Sequence, residues 1–344
     1  MNAYFFPHVP PISLELTNKC NLSCPYCGNS QLTRARGVIA WDLLEKVVDE
    51  CADGHHDLAW LHGTGEPLIW DRLEDVIRLI KKRGAGEASF GTNGTLLTEK
   101  RVRSLLDSGL TSIYISLDSL DPAVYKSTRG ADLKKVVENV KKLIKIVPKK
   151  FKITVALMEH KEQHFTLQLI QKFYDTFGFI TNVHLNLVGN SLFPHAPEDY
   201  RVNKTDRSSC LTPRSYFTIT LDGRVSICCS DQDVGHCLGD VHTQTIDEIW
   251  FNPTNQETFR KLALGLSGCP DICVQRCNIV EKNANAPKQF HPALLMPFDQ
   301  ALTAAHQSFL AGDLVSAQKS LSMLKLRNPW SEEISHFEKI LALC

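Results

Sequence analysis

The stretch that most constrains this chain is Cys20-Asn21-Leu22-Ser23-Cys24-Pro25-Tyr26-Cys27, placed just after a strand-like run, Ile12–Leu16. Three thiolates at C-x3-C-x2-C spacing on one tight loop can hold a four-iron cube and leave one iron without a protein ligand. An open coordination position invites a substrate or cofactor. A structural zinc would want a fourth Cys or His nearby to close its tetrahedron, and the next histidine is only His55. Structural zinc, or thiols with no shared ligand, is the competing reading of the spacing.

Around this loop, strand-like and helix-like segments alternate. Ile12–Leu16, Leu58–His62, Ala88–Phe90, Ser112–Leu117, Lys152–Leu157 and Val183–Val188 read as short apolar or alternating strands. Between them Trp41–Cys51, Leu73–Arg83, a helix capped by Thr98, Leu133–Val147 and Phe165–Phe177 carry apolar residues at helical spacing. Six strands with intervening helices imply parallel βα units with right-handed crossovers, an α/β fold. Gly189–Ser209, rich in Pro, Asn and charge without periodicity, reads as the exit and linker.

Charge separates the remaining classes. Lys and Arg total 38 against 38 for Asp and Glu, so no basic excess points to nucleic acid or a membrane surface. No apolar run reaches the length of a membrane span, and the N-terminus lacks the pattern of a signal peptide. A cytoplasmic location is the expectation. Twelve cysteines in a reducing compartment are better explained as metal ligands than as disulfides. Three lie at the front and seven between Cys210 and Cys277, with Cys51 and Cys344 apart.

C-x3-C-x-aromatic-C after the first strand resembles the radical S-adenosylmethionine (SAM) superfamily, with Tyr26 in the aromatic position near the adenine. The resemblance implies a partial (β/α)6 barrel over residues 1–200, whose site forms at the C-terminal ends of the strands. It implies a [4Fe-4S] cluster on Cys20, Cys24 and Cys27, and SAM bound at its open iron. Reductive cleavage to a 5′-deoxyadenosyl radical and hydrogen abstraction from a substrate follow, fed by a one-electron donor such as flavodoxin or ferredoxin. His62-Gly63-Thr64-Gly65-Glu66-Pro67 is similar to the G-x-G-E-P turn that holds the SAM methionine, which implicates Gly63, Gly65, Glu66 and Pro67. Thr92 and Asn93 match the family's pocket lining. Ser116 and Asp118, on alternate positions of the fourth strand, match residues used for the SAM ribose or for substrate. Arg129 resembles the arginine that pairs with the SAM carboxylate, and Val188 the residue that touches the adenine. Taken singly, Asp118 and Arg129 would read as a surface ion pair, Val188 as core, and the glycines as a plain turn.

The later cysteines resemble a SPASM/twitch extension over residues 201–285. Cys210 precedes two alternating segments, Phe217–Thr220 and Val225–Cys228, joined by Asp222-Gly223 as a β-hairpin. A helix starting at Ile246 is expected to run through Phe259 to Leu266, and Cys269, Cys273 and Cys277 close the group. The last block is C-x3-C-x3-C, shorter than the family's usual pattern. The expectation is one auxiliary [4Fe-4S] cluster on Cys210, Cys228, Cys273 and Cys277, with Cys237 and Cys269 leaving room for a second; structural zinc on the same thiolates is the alternative. Cys229, Cys237 or Cys269 would be candidate hydrogen-atom donors in an epimerisation. Residues 290–344 resemble one tetratricopeptide-like (TPR-like) helix pair. Peptide-modifying members often carry an added N-terminal domain, whereas this chain begins almost at its first strand. The expected substrate is therefore a sugar-like or alcohol small molecule undergoing oxidation or epimerisation, with a ribosomal peptide second and a non-catalytic metal-binding scaffold third.

Overall fold

The computed structural model describes residues 5–159, 162–178, 183–188, 210, 212–266, 268–273, 298–327, 334 and 338. The chain forms two compact units. One comprises Pro11–Lys204 and Thr218–His242, the other Met1–Pro10, Thr205–Phe217 and Thr243–Cys344.

The first unit is built on strands β1 (Ile12–Leu14), β2 (Leu58–Trp60), β3 (Ser89–Thr92), β4 (Ser112–Asp118), β5 (Lys152–Met158) and β6 (Val183–Val188). They pair parallel and in sequence order, as right-handed βα units of an open barrel do. The helices between them are α1 (Trp41–Asp53), α2 (Leu73–Arg83), α3 (Glu99–Asp107), α4 (Pro122–Arg129), α5 (Leu133–Ile146) and α6 (Leu167–Phe177). Local signals set their ends. Thr98, Asp121 and Thr166 accept N-terminal amide hydrogens, and Gly84 and Gly130 close α2 and α4 in the left-handed region at φ 73° and 69°.

The two faces of the sheet differ in kind. Ile113, Ile115 and Leu117 of β4 and Ile153, Val155 and Leu157 of β5 are buried, and Ile115 lies beside Val136 of α5 at Gly94. The alternate positions Tyr114, Ser116 and Thr154 are only half-buried. Trp60 meets Tyr114 edge-on at 6.1 Å on this inner face.

Beyond β1 the sheet continues through β7 (Phe217–Ile219), β8 (Arg224–Ser226) and β9 (Cys237–Asp240), giving the order β6-β5-β4-β3-β2-β1-β7-β8-β9. Glu15 N–H donates to Ile219 C=O at 2.9 Å. The Asp222-Gly223 turn joins β7 and β8 as its sequence predicts, with Gly223 at φ 84°. The third strand, β9, is not signalled by alternation.

In the other unit the helix expected from Ile246 to Leu266 is two: α7 (Ile246–Trp250) and α8 (Pro253–Leu264). Pro253 cannot donate into a continuing helix, and Asn252 caps α8 by accepting from Thr254 N–H. Trp250 packs on Phe259 at 4.6 Å and stacks on Phe6 at 6.3 Å, and its Nε1 donates to Phe6 C=O. Helices α9 (Phe298–Leu310) and α10 (Leu314–Arg327) form an antiparallel pair through Ala301, Ala305, Ala317, Leu321 and Leu324.

Candidate functional site

The cysteine loop leaves the C-terminal end of β1 and is fixed by side-chain amides. Asn29 Nδ2 donates to Asn18 C=O and Thr64 C=O at 2.8 and 2.7 Å. Asn21 Nδ2 donates to Thr95 Oγ1, and Asn93 Nδ2 to Asn21 Oδ1, each at 2.8 Å. The loop is thereby tied to the segments that follow β2 and β3.

Burial pushes the thiols of Cys20, Cys24 and Cys27 up, and the three raise one another through charge repulsion, so they are electrostatic neighbours. Backbone N–H groups of Leu22 and Asn29 donate to the sulfurs of Cys20 and Cys27 at 3.5 and 3.4 Å. Leu22, Cys24, Tyr26, Cys27 and Met158 form an apolar patch around them. Among the described residues, no three His, Cys, Asp or Glu side chains converge closely enough to cage a single metal ion. The fit to an iron–sulfur cluster rests on the donor set: three thiols of one loop that burial and mutual repulsion keep protonated until a cationic centre replaces the protons.

The glycine-rich turn after β2 packs against this loop by backbone. A Cβ on Gly65 would lie 2.2 Å from Thr17 O and 2.7 Å from Lys19 O, and Glu66 N–H donates to Lys19 C=O at 2.8 Å. Only glycine permits that approach. Glu66 is buried, and protein donors occupy its carboxylate: Thr92 Oγ1 at 2.8 Å, Asn93 N at 2.7 Å and Leu68 N at 3.2 Å. Burial nevertheless dominates and raises its pKa. The expected pocket residues Glu66, Thr92 and Asn93 thus bond to one another first, and Pro67 opens a 3-10 turn behind them.

At the end of β4 the register slips between Ser116 and Asp118, so the simple alternation expected there does not continue. Asp118 sits at φ 65°, a strained position for a non-glycine residue. Its carboxylate accepts Arg129 Nε and Nη2 at 2.6 Å each and Tyr26 Oη at 2.5 Å. Arg129, the last residue of α4, therefore presents its fork to Asp118. Arg129 and Asp118 act electrostatically on Cys24, which brings this set beside the cysteine loop. Ser116 lies half-buried on the inner face. Val188 ends β6, but its side chain is outside the described ones.

Sequence reasoning missed several residues here. Glu15, buried just past the end of β1, receives Arg34 Nη1 and Nη2 at 2.8 and 3.0 Å. His62 follows β2 at the start of the glycine-rich turn, and its imidazole lies beside Gly91. The available signal was polarity at alternate strand positions: Ser13 and Glu15 between Ile12, Leu14 and Leu16.

Of the later cysteines, Cys228 and Cys229 follow β8 in the barrel unit, where Ser226 Oγ donates to Cys228 C=O at 2.9 Å. Cys210, Cys269 and Cys273 belong to the other unit. There Cys210 N donates to Leu262 C=O at 2.7 Å, and Cys269 and Cys273 are buried. Cys229 and Cys237 are exposed. Cys277 lies outside the described residues. No helix among those described is long and apolar enough to cross a membrane.

Residues 14–170 match the radical SAM superfamily and residues 210–278 an iron–sulfur cluster-binding domain of the SPASM type. The tungsten-containing aldehyde ferredoxin oxidoreductase cofactor-modifying protein of Pyrococcus furiosus is 33% identical over 207 residues, covering 58% of this chain and 56% of that one. The chain spans about half the length of the curated relatives it matches. Among solved structures, BtrN in complex with AdoMet and 2-DOIA aligns with a TM-score of 0.51 at 17% identity, covering 80% of this chain and 92% of that one. SuiB of Streptococcus suis, bound to its precursor peptide SuiA, aligns with a TM-score of 0.57 at 14% identity, covering 79% and 70%. Both likenesses concern the fold. With a SPASM region following the barrel region in sequence, [4Fe-4S] clusters and SAM are the cofactors implied, and the chain belongs to the radical SAM superfamily.

Proposed function

We propose that this radical SAM enzyme binds its catalytic cluster through Cys20, Cys24 and Cys27 and abstracts a hydrogen atom from a small-molecule substrate. When bound, the cluster and SAM supply a 5′-deoxyadenosyl radical. The chain's residues bind and orient. The backbone of Gly63–Pro67 cradles the methionine end of SAM, braced by Glu66, Thr92 and Asn93. Tyr26, Asp118, Arg129, Ser116 and Val188 are the residues that would serve the rest of the cofactor. The observation that carries this reading is the donor set of three electrostatically neighbouring thiols on one loop, together with a turn that admits only glycine and the buried Tyr26–Asp118–Arg129 set.

Domain limits of 1–200 for the barrel, 201–285 for the auxiliary-cluster region and 290–344 for the helical tail complete the reading. Cys210, Cys228, Cys273 and Cys277 hold one auxiliary cluster. Oxidation or epimerisation of a hydroxylated substrate fits this equipment: a cluster held by those cysteines would supply an electron acceptor for the first, and a thiol at Cys229, Cys237 or Cys269 would supply the returned hydrogen atom for the second. A low-potential one-electron donor protein supplies the reducing electron. The name of the P. furiosus relative favours a small molecule; the SuiB–SuiA complex favours a second reading, modification of a ribosomal peptide.

Anaerobic reconstitution with SAM and dithionite tests the central proposal. The wild type should release 5′-deoxyadenosine and the Cys24→Ala variant none. Wild-type protein with a full iron load but no SAM cleavage would leave a metal-binding scaffold.

A further inference from the structure

Glu15 holds a place that no cofactor requires of it directly. Its carboxylate accepts five hydrogen bonds: two from Arg34, one from Thr64 N at 3.2 Å, one from Thr64 Oγ1 at 2.6 Å, and one from Leu221 N at 3.2 Å. The Glu15 and Arg34 side chains are 2% and 4% exposed. Gly63 lies directly over Glu15, since a Cβ there would sit 2.5 Å from Glu15 Cγ. Arg34 extends the network the other way. Its Nε donates to Gln232 C=O at 2.6 Å, while Thr33 N and Arg34 N donate to Asp233 Oδ1 at 2.8 and 3.3 Å. Gln232 in turn packs its amide against Gly28, next to Cys27. Gln232 and Asp233 lie four and five positions beyond Cys228.

We propose that the Glu15–Arg34 pair is a positioning device that couples the Gly63–Thr64 turn to the Cys228–Asp233 turn, so that ordering the second raises the affinity of the first for SAM. The inference rests on the reading of Gly63–Pro67 as the SAM turn. A bidentate buried ion pair suits this role because it has one geometry, and breaking it from either side leaves a desolvated charge. Thr64 is the element at the SAM end, held by both its amide and its hydroxyl. Asp233 and Gln232 are the elements at the cysteine end. Coupling between sites is reciprocal, so a change at Cys228 should be felt as SAM affinity, and only while Glu15 and Arg34 connect the two.

The test uses anaerobically reconstituted full-length protein and SAM itself as probe. Readouts are equilibrium dialysis with labelled SAM, iron content, and the electron paramagnetic resonance signal of the reduced protein with and without SAM. Glu15→Gln should raise the SAM dissociation constant about tenfold while iron content and the SAM-free signal stay unchanged. Cys228→Ala should weaken SAM binding in the wild-type background and add nothing in Glu15→Gln. Thr64→Val, which leaves the ion pair intact, should reproduce part of the loss and guards against misfolding of Glu15→Gln. Unchanged affinity in both Glu15→Gln and Thr64→Val, or strictly additive effects of Glu15→Gln and Cys228→Ala, overturns the coupling. Failure of the wild type to bind SAM would instead overturn the reading of the turn.

Discussion

Replacing Asp118 by Asn tests the polar wall of the site. Asp118 receives two 2.6 Å bonds from Arg129 and one of 2.5 Å from Tyr26, and the Arg129 and Asp118 side chains are only 12% and 6% exposed. Asn matches Asp in shape and tolerates the left-handed backbone there, so the change removes charge and little else. Breaking a buried ion pair from one side costs about 3–5 kcal/mol, because the remaining charge stays desolvated without its partner. The Asn carbonyl still accepts one bond from Arg129, which places the loss near the low end, about 3 kcal/mol. At roughly 2–4 °C per kcal/mol for a unit of this size, the unfolding midpoint should fall by roughly 6–12 °C. Thermal unfolding of iron-free protein, followed by circular dichroism, reads this without a contribution from cofactor loss. A second arm removes the stranded cation: Asp118→Asn with Arg129→Met should be more stable than Asp118→Asn alone, since replacing both charges approaches neutrality. A shift under about 2 °C for the single variant, or a double variant no more stable than it, refutes the reasoning.

Other outcomes follow from the same geometry. Cys24→Ala should lower reconstituted iron by about four atoms per chain, measured by colorimetric iron assay, and leave the rest bound elsewhere. Gly65→Ala places a methyl against backbone oxygens that cannot rotate away; about 1–3 kcal/mol of strain should displace the turn and weaken SAM binding by an order of magnitude or more in dialysis. Burial would raise the Glu15 carboxyl, but Arg34 and Thr64 outweigh it and hold its pKa below the ordinary value. Its stabilising contribution is therefore complete above about pH 4.3 and lost as pH falls through the lower folded value. Denaturant midpoints between pH 3 and 7 should consequently drop less steeply for Glu15→Gln than for wild type at the acid end, and parallel curves would remove Glu15 from the account.

The strands and helices of the barrel were legible because each obeys one period and ends on a local signal. Leu73–Arg83 and Val183–Val188 keep the bounds their patterns predict, since an apolar stripe and a terminal glycine or polar cap leave little to tertiary context. The Ile246 helix was misread because its apolar spacing continues across Pro253, and the missing amide decides against it. Strand β9 was invisible because Cys237-Leu238-Gly239-Asp240 has no alternation; it exists by pairing with β8.

The site divides along the same line. The cysteine spacing and the glycine turn are local, and their chemistry can be read from a few consecutive residues. The fate of each side chain is not local. Glu66, Thr92 and Asn93 read as pocket residues in sequence, and in the fold the Glu66 carboxylate accepts from Thr92 Oγ1 and Asn93 N–H while the Asn93 side chain bonds Asn21 and Thr95, because a buried carboxylate must find donors. Arg129 similarly gives its fork to Asp118, eleven residues upstream. Glu15 shows the reverse. In sequence it is one polar residue in an apolar strand, and in the fold three segments donate to it. A charged residue within an otherwise alternating apolar run is a signal that sequence does carry. It marks the side of the sheet where the barrel keeps its chemistry.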